Sequence, residues 1–80
     1  MKGKSTFTTA EINRLKELII IRIGTESSKQ KAVRDKMRAI GFYGRDDWGI
    51  TNLQVSDLEE LIQNGRIKIS DSDIEKNNKR

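Results

Sequence analysis

Three cations near the middle of the chain recur at helical spacing: Lys31, Arg34 and Arg38. Their separations of three and four residues place them on one face of a helix. Tyr43 and Arg45 follow shortly afterwards and can extend the same surface. Lysine and arginine neutralise phosphates, and an aromatic side chain can stack on an exposed base. The spacing therefore predicts a nucleic-acid-binding surface made of these residues, and it leaves open whether the ligand is DNA or RNA.

The same pattern has a plainer interpretation. A solvent-exposed helix face is commonly charged, and lysine and arginine favour helices. The chain has a net charge of +4, and residues 29–48 carry six positive and three negative charges. This basic excess hints at an acidic partner, but it falls short of a polybasic segment. The interpretation of this face as merely solvated therefore remains an alternative to the binding surface.

The composition removes the commonest catalytic and metal sites. The chain has no histidine and no cysteine, so it lacks the most frequent general base and the most frequent transition-metal ligands. Ser27, Ser28 and Tyr43 have no recognisable base beside them to activate a hydroxyl. Asp46 and Asp47 do not continue into the ligand spacing of a calcium loop. We therefore predict a non-catalytic protein with no cofactor and no bound metal.

The chain shows no targeting or membrane signal. Its first residues lack the apolar stretch of a signal peptide. The longest apolar run, residues 18–21, is far below the roughly 20 residues that span a bilayer. The absence of cysteine fits a reducing compartment. We expect a cytoplasmic protein without membrane contact.

Three helical apolar stripes predict the elements that position these residues. Each stripe follows a hydroxyl residue that has Glu or Gln three positions later, which is the capping-box spacing. The predicted helices and cap pairs are residues 9–23 with Thr8 and Glu11, residues 28–40 with Ser27 and Gln30, and residues 57–64 with Ser56 and Glu59.

The rest of the chain predicts loops and one short strand. Residues 66–70 alternate polar and apolar side chains, which is typical of a strand. We expect this strand to pair with residues 5–8 or to dock as an extended segment. Residues 41–51 contain three glycines and predict a loop. The fold class is therefore mainly α, a three-helix domain with a short C-terminal strand. Its parts are a flexible leader (residues 1–6), a single domain (residues 7–70) and a disordered polar tail (residues 71–80).

The stripes and the loop aromatics predict the core. Its members are Ile12, Leu15, Ile19, Val33, Met37, Ile40, Phe42, Trp48, Leu58, Leu61, Ile62 and Ile67. Ile21 falls on the far side of the first helix, and Leu18 lies between that side and the stripe. One isolated exposed isoleucine is normal, so we expect a monomer. The alternative is a protein–protein interaction module of unknown partner, with Leu18 and Ile21 as its contact patch.

Two runs of sequence carry a resemblance: QKAVRDKMRAIGFYGRDD over residues 30–47 and DLEELIQNGRIKI over residues 57–69. They resemble a family of small uncharacterised bacterial proteins. Those proteins are similar in pairing a leading helix with a segment of the type QK–R–KMR–IGFY and an ending of the type GRIKI. The resemblance covers about residues 7–69. It implies a self-contained bacterial domain, and it transfers no activity and no binding residue.

Overall fold

A computed structural model describes residues 2–71 of the chain. Within this part lie four helices and two short strands. In chain order the elements are β1 (Thr6–Phe7), α1 (Thr9–Ile23), α2 (Ser27–Ile40), α3 (Gly44–Trp48), α4 (Val55–Gln63) and β2 (Lys68–Ile69). The predicted mainly helical domain with a short C-terminal strand is confirmed.

The first helix begins as its sequence predicts. Thr8 Oγ1 accepts a hydrogen bond from the Glu11 N–H at 3.1 Å, and the Glu11 carboxylate accepts one from the Thr8 N–H at 2.9 Å. Phe7 before the cap and Ile12 after it are both buried, as in a hydrophobic staple. This capping box is confirmed, and it fixes the angle at which the chain enters α1.

The predicted capping box of Ser27 and Gln30 is wrong. The N-cap residue of α2 is Glu26, and it makes no side-chain capping hydrogen bond. The Gln30 side chain instead donates to the carbonyl oxygens of Arg22 and Thr25, at 3.3 and 3.2 Å. Carbonyls at the end of a helix lack intrahelical donors, so they compete for this amide. Gln30 thereby fastens the start of α2 to the end of α1.

The fourth helix starts before the predicted boundary, at Val55. The Asp57 carboxylate accepts a hydrogen bond from the Gln54 N–H at 2.9 Å. Ser56 and Glu59 therefore lie inside the helix, and the capping box predicted for them is wrong. Asp57 sits in the first turn, where an acidic side chain also complements the helix dipole.

The two strands pair in parallel, with Thr6 opposite Lys68. The Lys68 N–H donates to the Ser5 carbonyl, and the Ser70 N–H donates to the Phe7 carbonyl, each at 2.8 Å. The predicted pairing of the terminal strand with the N-terminal segment is confirmed. The sheet therefore joins both ends of the described chain across the helices.

One buried core holds the elements together. Its members are Phe7, Ile12, Leu15, Leu18, Ile19, Val33, Met37, Phe42, Leu53, Leu58, Leu61 and Ile67. Phe7, Leu18 and Leu53 were not predicted to lie there. Ile40, Trp48 and Ile62, which were, are only half-buried against it, because they lie at the ends or edges of their helices.

Residues 2–4, which we call the N-terminal strap, lie against the segment that follows α2. The Asp47 carboxylate accepts hydrogen bonds from the N–H groups of Lys2 and Gly3, each at 2.8 Å. The Lys4 N–H donates to the Gly41 carbonyl at 2.9 Å. A Cβ on Gly3 would stand 2.1 Å from the Gly41 carbonyl oxygen, so this contact requires glycine. The strap is therefore hydrogen-bonded to the rest of the fold, and the flexibility predicted for residues 1–6 stays a prediction.

Asp71 is the one residue of the predicted polar tail within the described part of the chain. Its carboxylate accepts hydrogen bonds from the Thr9 N–H at 3.0 Å and the Thr9 hydroxyl at 2.7 Å. Residues 72–80 lie outside the described residues, so the prediction of a disordered tail there stays a prediction.

Candidate functional site

One concave pocket gathers cations from three helices, and we call it the arginine pocket. It is lined by Arg22 on α1, Arg34 and Arg38 on α2, and Arg45 on α3, and its volume is about 100 Å³. Tyr43 also lines it. The pocket thus brings together Arg34, Arg38, Tyr43 and Arg45 of the predicted surface, and it adds Arg22.

Lys31 is the member of the predicted surface that lies outside the pocket. It is exposed on α2, one turn before Arg34. The acids of α4 do not neutralise the α2 cations. Glu59 pairs with Lys16 at 3.7 Å, and none of the salt bridges within residues 2–71 joins an α2 cation to α4. The cationic face of α2 therefore stays available to a ligand.

The turn after α2 explains how Tyr43 and Arg45 reach the pocket. α2 ends at Gly41, whose φ of 111° lies in the left-handed region that favours glycine. The Phe42 N–H then donates to the Met37 carbonyl at 3.1 Å, and Phe42 is almost fully buried in the core. This anchor reverses the chain, so that the single turn of α3 begins beside the end of α2.

Arg22 is the cation of the pocket that sequence reasoning missed. Its guanidinium donates to the Leu53 and Thr51 carbonyls, each at 3.2 Å. The residue stands seven positions after Leu15, on the same side of α1 as the buried stripe. A cation at such a position is the signal that could have found it, because a charge facing inward needs partners.

The pocket carries excess positive charge. Arg34 and Arg45 form no salt bridge within residues 2–71. Arg38 pairs with Asp35 at 3.9 Å, a long contact between exposed groups that contributes little. Asp46 is the one acid among the described lining residues, and Lys2 pairs with it at 3.4 Å. Four guanidinium groups therefore face one carboxylate that already has a partner.

Tyr43 is less open than a free stacking platform. Its ring is half-buried, and the Arg38 guanidinium carbon lies 5.7 Å from the ring centroid. Such a cation–π contact holds the guanidinium in place. A Cβ built on Gly3 would stand 2.8 Å from Tyr43 Cδ1, so the strap lies against the ring. The geometry makes Tyr43 a support for Arg38 rather than an exposed base-stacking surface.

Asp47 links the strap to α3, next to the pocket. Hydrogen bonds from the backbone N–H of Lys2, and then of Gly3, lower the pKa of the Asp47 carboxyl below its ordinary value. They do so because they favour the charged form. Asp47 therefore stays ionised near neutral pH and keeps the strap in place.

The predicted contact patch of Leu18 and Ile21 is wrong in one of its two members. Leu18 is only 2% exposed and lies in the core, because it is three residues after Leu15 on the inward side of α1. Ile21 is 49% exposed, and its neighbours Ile20 and Ile23 are 62% and 56% exposed. The large exposed apolar residues of α1 are therefore these three isoleucines.

A second hollow lies beside Trp48 and has the opposite character. Asp57 and Glu60 line it together with Arg66. Trp48 Nε1 is buried there and has no hydrogen-bond partner in the described part of the chain. Because carboxylates repel phosphate, this hollow does not extend the cationic surface.

Residues 2–71 contain no group of three or more acidic, histidine or cysteine side chains that could hold a metal ion. Each of their helices is too short or too polar to span a bilayer.

Comparisons with protein-family models, with curated proteins and with solved structures found no match. The resemblance to a bacterial family therefore stays a prediction.

Proposed function

We propose that this protein is a small non-catalytic module that binds nucleic acid through the arginine pocket. The observation that carries the proposal is the convergence of four arginines from three helices on one concave site. Guanidinium groups match phosphate oxygens with two parallel hydrogen bonds, and they keep their charge at every physiological pH. Arg34 and Arg45, which have no acid partner within residues 2–71, would bind the phosphates first.

Titration of a fluorescein-labelled 12-nucleotide strand, followed by anisotropy at several salt concentrations, tests the proposal. We expect the double substitution Arg34→Ala/Arg38→Ala to weaken binding. It should also flatten the salt slope by about 0.7 for each lost phosphate contact with a single strand. Adding Lys31→Ala should flatten the slope further only if the strand extends along α2 beyond the pocket.

The double substitution Lys29→Ala/Lys36→Ala is the matched control. Both lysines are exposed on α2, outside the arginine pocket. The control removes the same two charges from the same helix. If both double variants lowered the affinity for the strand equally, net charge alone would explain binding. That result would contradict the assignment of the arginine pocket as the binding site.

The alternative function is a protein–protein interaction module. It is favoured by one observation, the three exposed isoleucines at the end of α1. Salt separates the two functions, since phosphate binding weakens steeply with added salt whereas an apolar interface does not. The nucleic-acid proposal also includes a cytoplasmic location, because nucleic acids are abundant in the cytoplasm.

A further inference from the structure

We infer that the arginine pocket takes one unpaired base of a single strand, while its arginines bind the phosphates beside that base. The inference rests on the proposed function and names the form of nucleic acid that the site selects. It predicts a preference for single strands over duplexes of the same sequence.

The first argument is the two-part lining of the pocket. Beside the four arginines, the half-buried Ile50 lines the pocket, and the core residues Met37, Phe42 and Leu53 form its floor. A site for phosphate alone gains nothing from apolar walls, because phosphate is strongly hydrated and charged. A nucleotide has an apolar ring face and an anionic group a few bonds away, so it matches both parts of the lining.

The second argument is the size of the pocket. One water needs about 10–15 Å³ of such space, whereas this pocket offers about 100 Å³. The space is thus several times that of one water, and a group of several atoms has room to enter. Bases in a duplex are stacked and paired, and extruding one costs a few kcal/mol. An unpaired base enters without that cost.

The third argument is the placement of Arg38. Its side chain is 43% exposed, while its guanidinium lies over the Tyr43 ring. A guanidinium plane is one of the surfaces on which unpaired bases stack. Arg22 is held in the pocket by hydrogen bonds to the Thr51 and Leu53 carbonyls. Both arginines are therefore positioned before any ligand arrives.

Three DNA probes of 12 nucleotides and identical label test the inference on the intact protein. They are a mixed-sequence single strand, its duplex, and a strand of abasic sites with the same number of phosphates. We expect the single strand to bind about fivefold or more tightly than the abasic strand, and more tightly than the duplex. Equal binding of the abasic strand, or tighter binding of the duplex, would overturn the inference. RNA probes of the same design show whether the pocket prefers RNA or DNA.

The substitution Arg38→Lys connects the effect to the pocket. It keeps the positive charge but removes the planar group. We expect the normal strand to lose more affinity than the abasic strand, because only the normal strand loses a stacked base, so that their ratio falls toward one. An unchanged ratio would place the base elsewhere and overturn the inference.

The proposed function and this inference fail in different ways. If no probe binds, or if Arg34→Ala/Arg38→Ala binds every probe as the wild type does, the proposed function is wrong and the inference falls with it. If all probes bind through the arginines without regard to their bases, the function stands and only the inference is overturned.

Discussion

Arg22 has two tasks, because it lines the pocket and also holds the segment before α4 through the Thr51 and Leu53 carbonyls. We expect Arg22→Ala to lower the free energy of unfolding by about 1–2 kcal/mol, since two hydrogen bonds to a charged donor are lost. Urea denaturation measures this. Arg14→Ala is the control, because exposed Arg14 pairs within residues 2–71 only with Glu17 one turn away, a contact worth at most about 0.5 kcal/mol. Equal losses in the two variants would contradict the structural task of Arg22.

Asp47 predicts a response to acid. Its pKa is lowered in the folded protein, first by the hydrogen bond from the Lys2 N–H. The stabilisation by Asp47 is therefore complete above the ordinary carboxyl pKa of about 4. It is lost as the pH falls through the lowered folded value. Protonation should release the N-terminal strap.

Amide chemical shifts followed by NMR from about pH 6 downward test this response, because this starting pH lies well above the ordinary carboxyl titration range. We expect the Gly3 amide to titrate below the ordinary carboxyl range in the wild type. It should stay flat over the same range in Asp47→Asn, which has no carboxyl to protonate. A Gly3 amide that is equally flat in the wild type would show that the strap does not depend on this carboxylate.

Among the elements, those with long apolar stripes were predictable and the short ones were not. Both ends of α1 and its capping box were predicted correctly, because its apolar stripe runs through fifteen residues and follows a cap pair at the right spacing. α3 has five residues, begins at Gly44 and ends before Gly49, so the sequence of this segment predicts a loop. The cap predicted for α4 was wrong because Gln54 and Asp57 form the capping contact in place of Ser56 and Glu59. The cap predicted for α2 was wrong because the Gln30 amide binds the Arg22 and Thr25 carbonyls instead.

The candidate site followed the same division. Arg34 and Arg38 were predictable because they share a helix face, and Tyr43 and Arg45 because they follow it closely. Arg22 lies on another helix, and its approach depends on how α1 packs against α2. The spacing of residues within one helix does not specify how two helices pack against each other. A site built from three helices could therefore be predicted only in part.

The turn between α2 and α3 depends on Gly41. Its φ of 111° is one that side chains rarely adopt, and an added Cβ would stand 2.9 Å from Lys4 Cγ. We expect Gly41→Ala to destabilise the protein by more than about 1 kcal/mol. Gly24→Ala is the control, since its φ is −90° and the nearest atoms to an added Cβ are 3.9 Å away. Thermal unfolding of both variants decides. A Gly24→Ala variant as unstable as Gly41→Ala would contradict this account of the turn.

For the whole molecule, the exposed isoleucines of α1 pose the question of self-association. A standard interface needs about 800 Å² from each partner, and three side chains supply only a small part of that area. We expect the wild type, Ile20→Glu and Ile21→Glu to sediment alike as monomers over a wide range of concentration. A wild type that dimerises while either variant stays monomeric would favour the interaction module, with a two-fold contact as the default geometry.

The parallel sheet has a consequence for the order in which the chain folds. β1 and β2 lie at opposite ends of the described chain, with Thr6 opposite Lys68. During synthesis β1 emerges early, but it cannot pair until all four helices of the described region have followed. Contacts of such long sequence separation form late, because loop closure must be completed first. We expect Thr6→Gly to speed unfolding and leave the folding rate nearly unchanged in stopped-flow experiments. A slower folding rate would instead place the sheet in the folding nucleus.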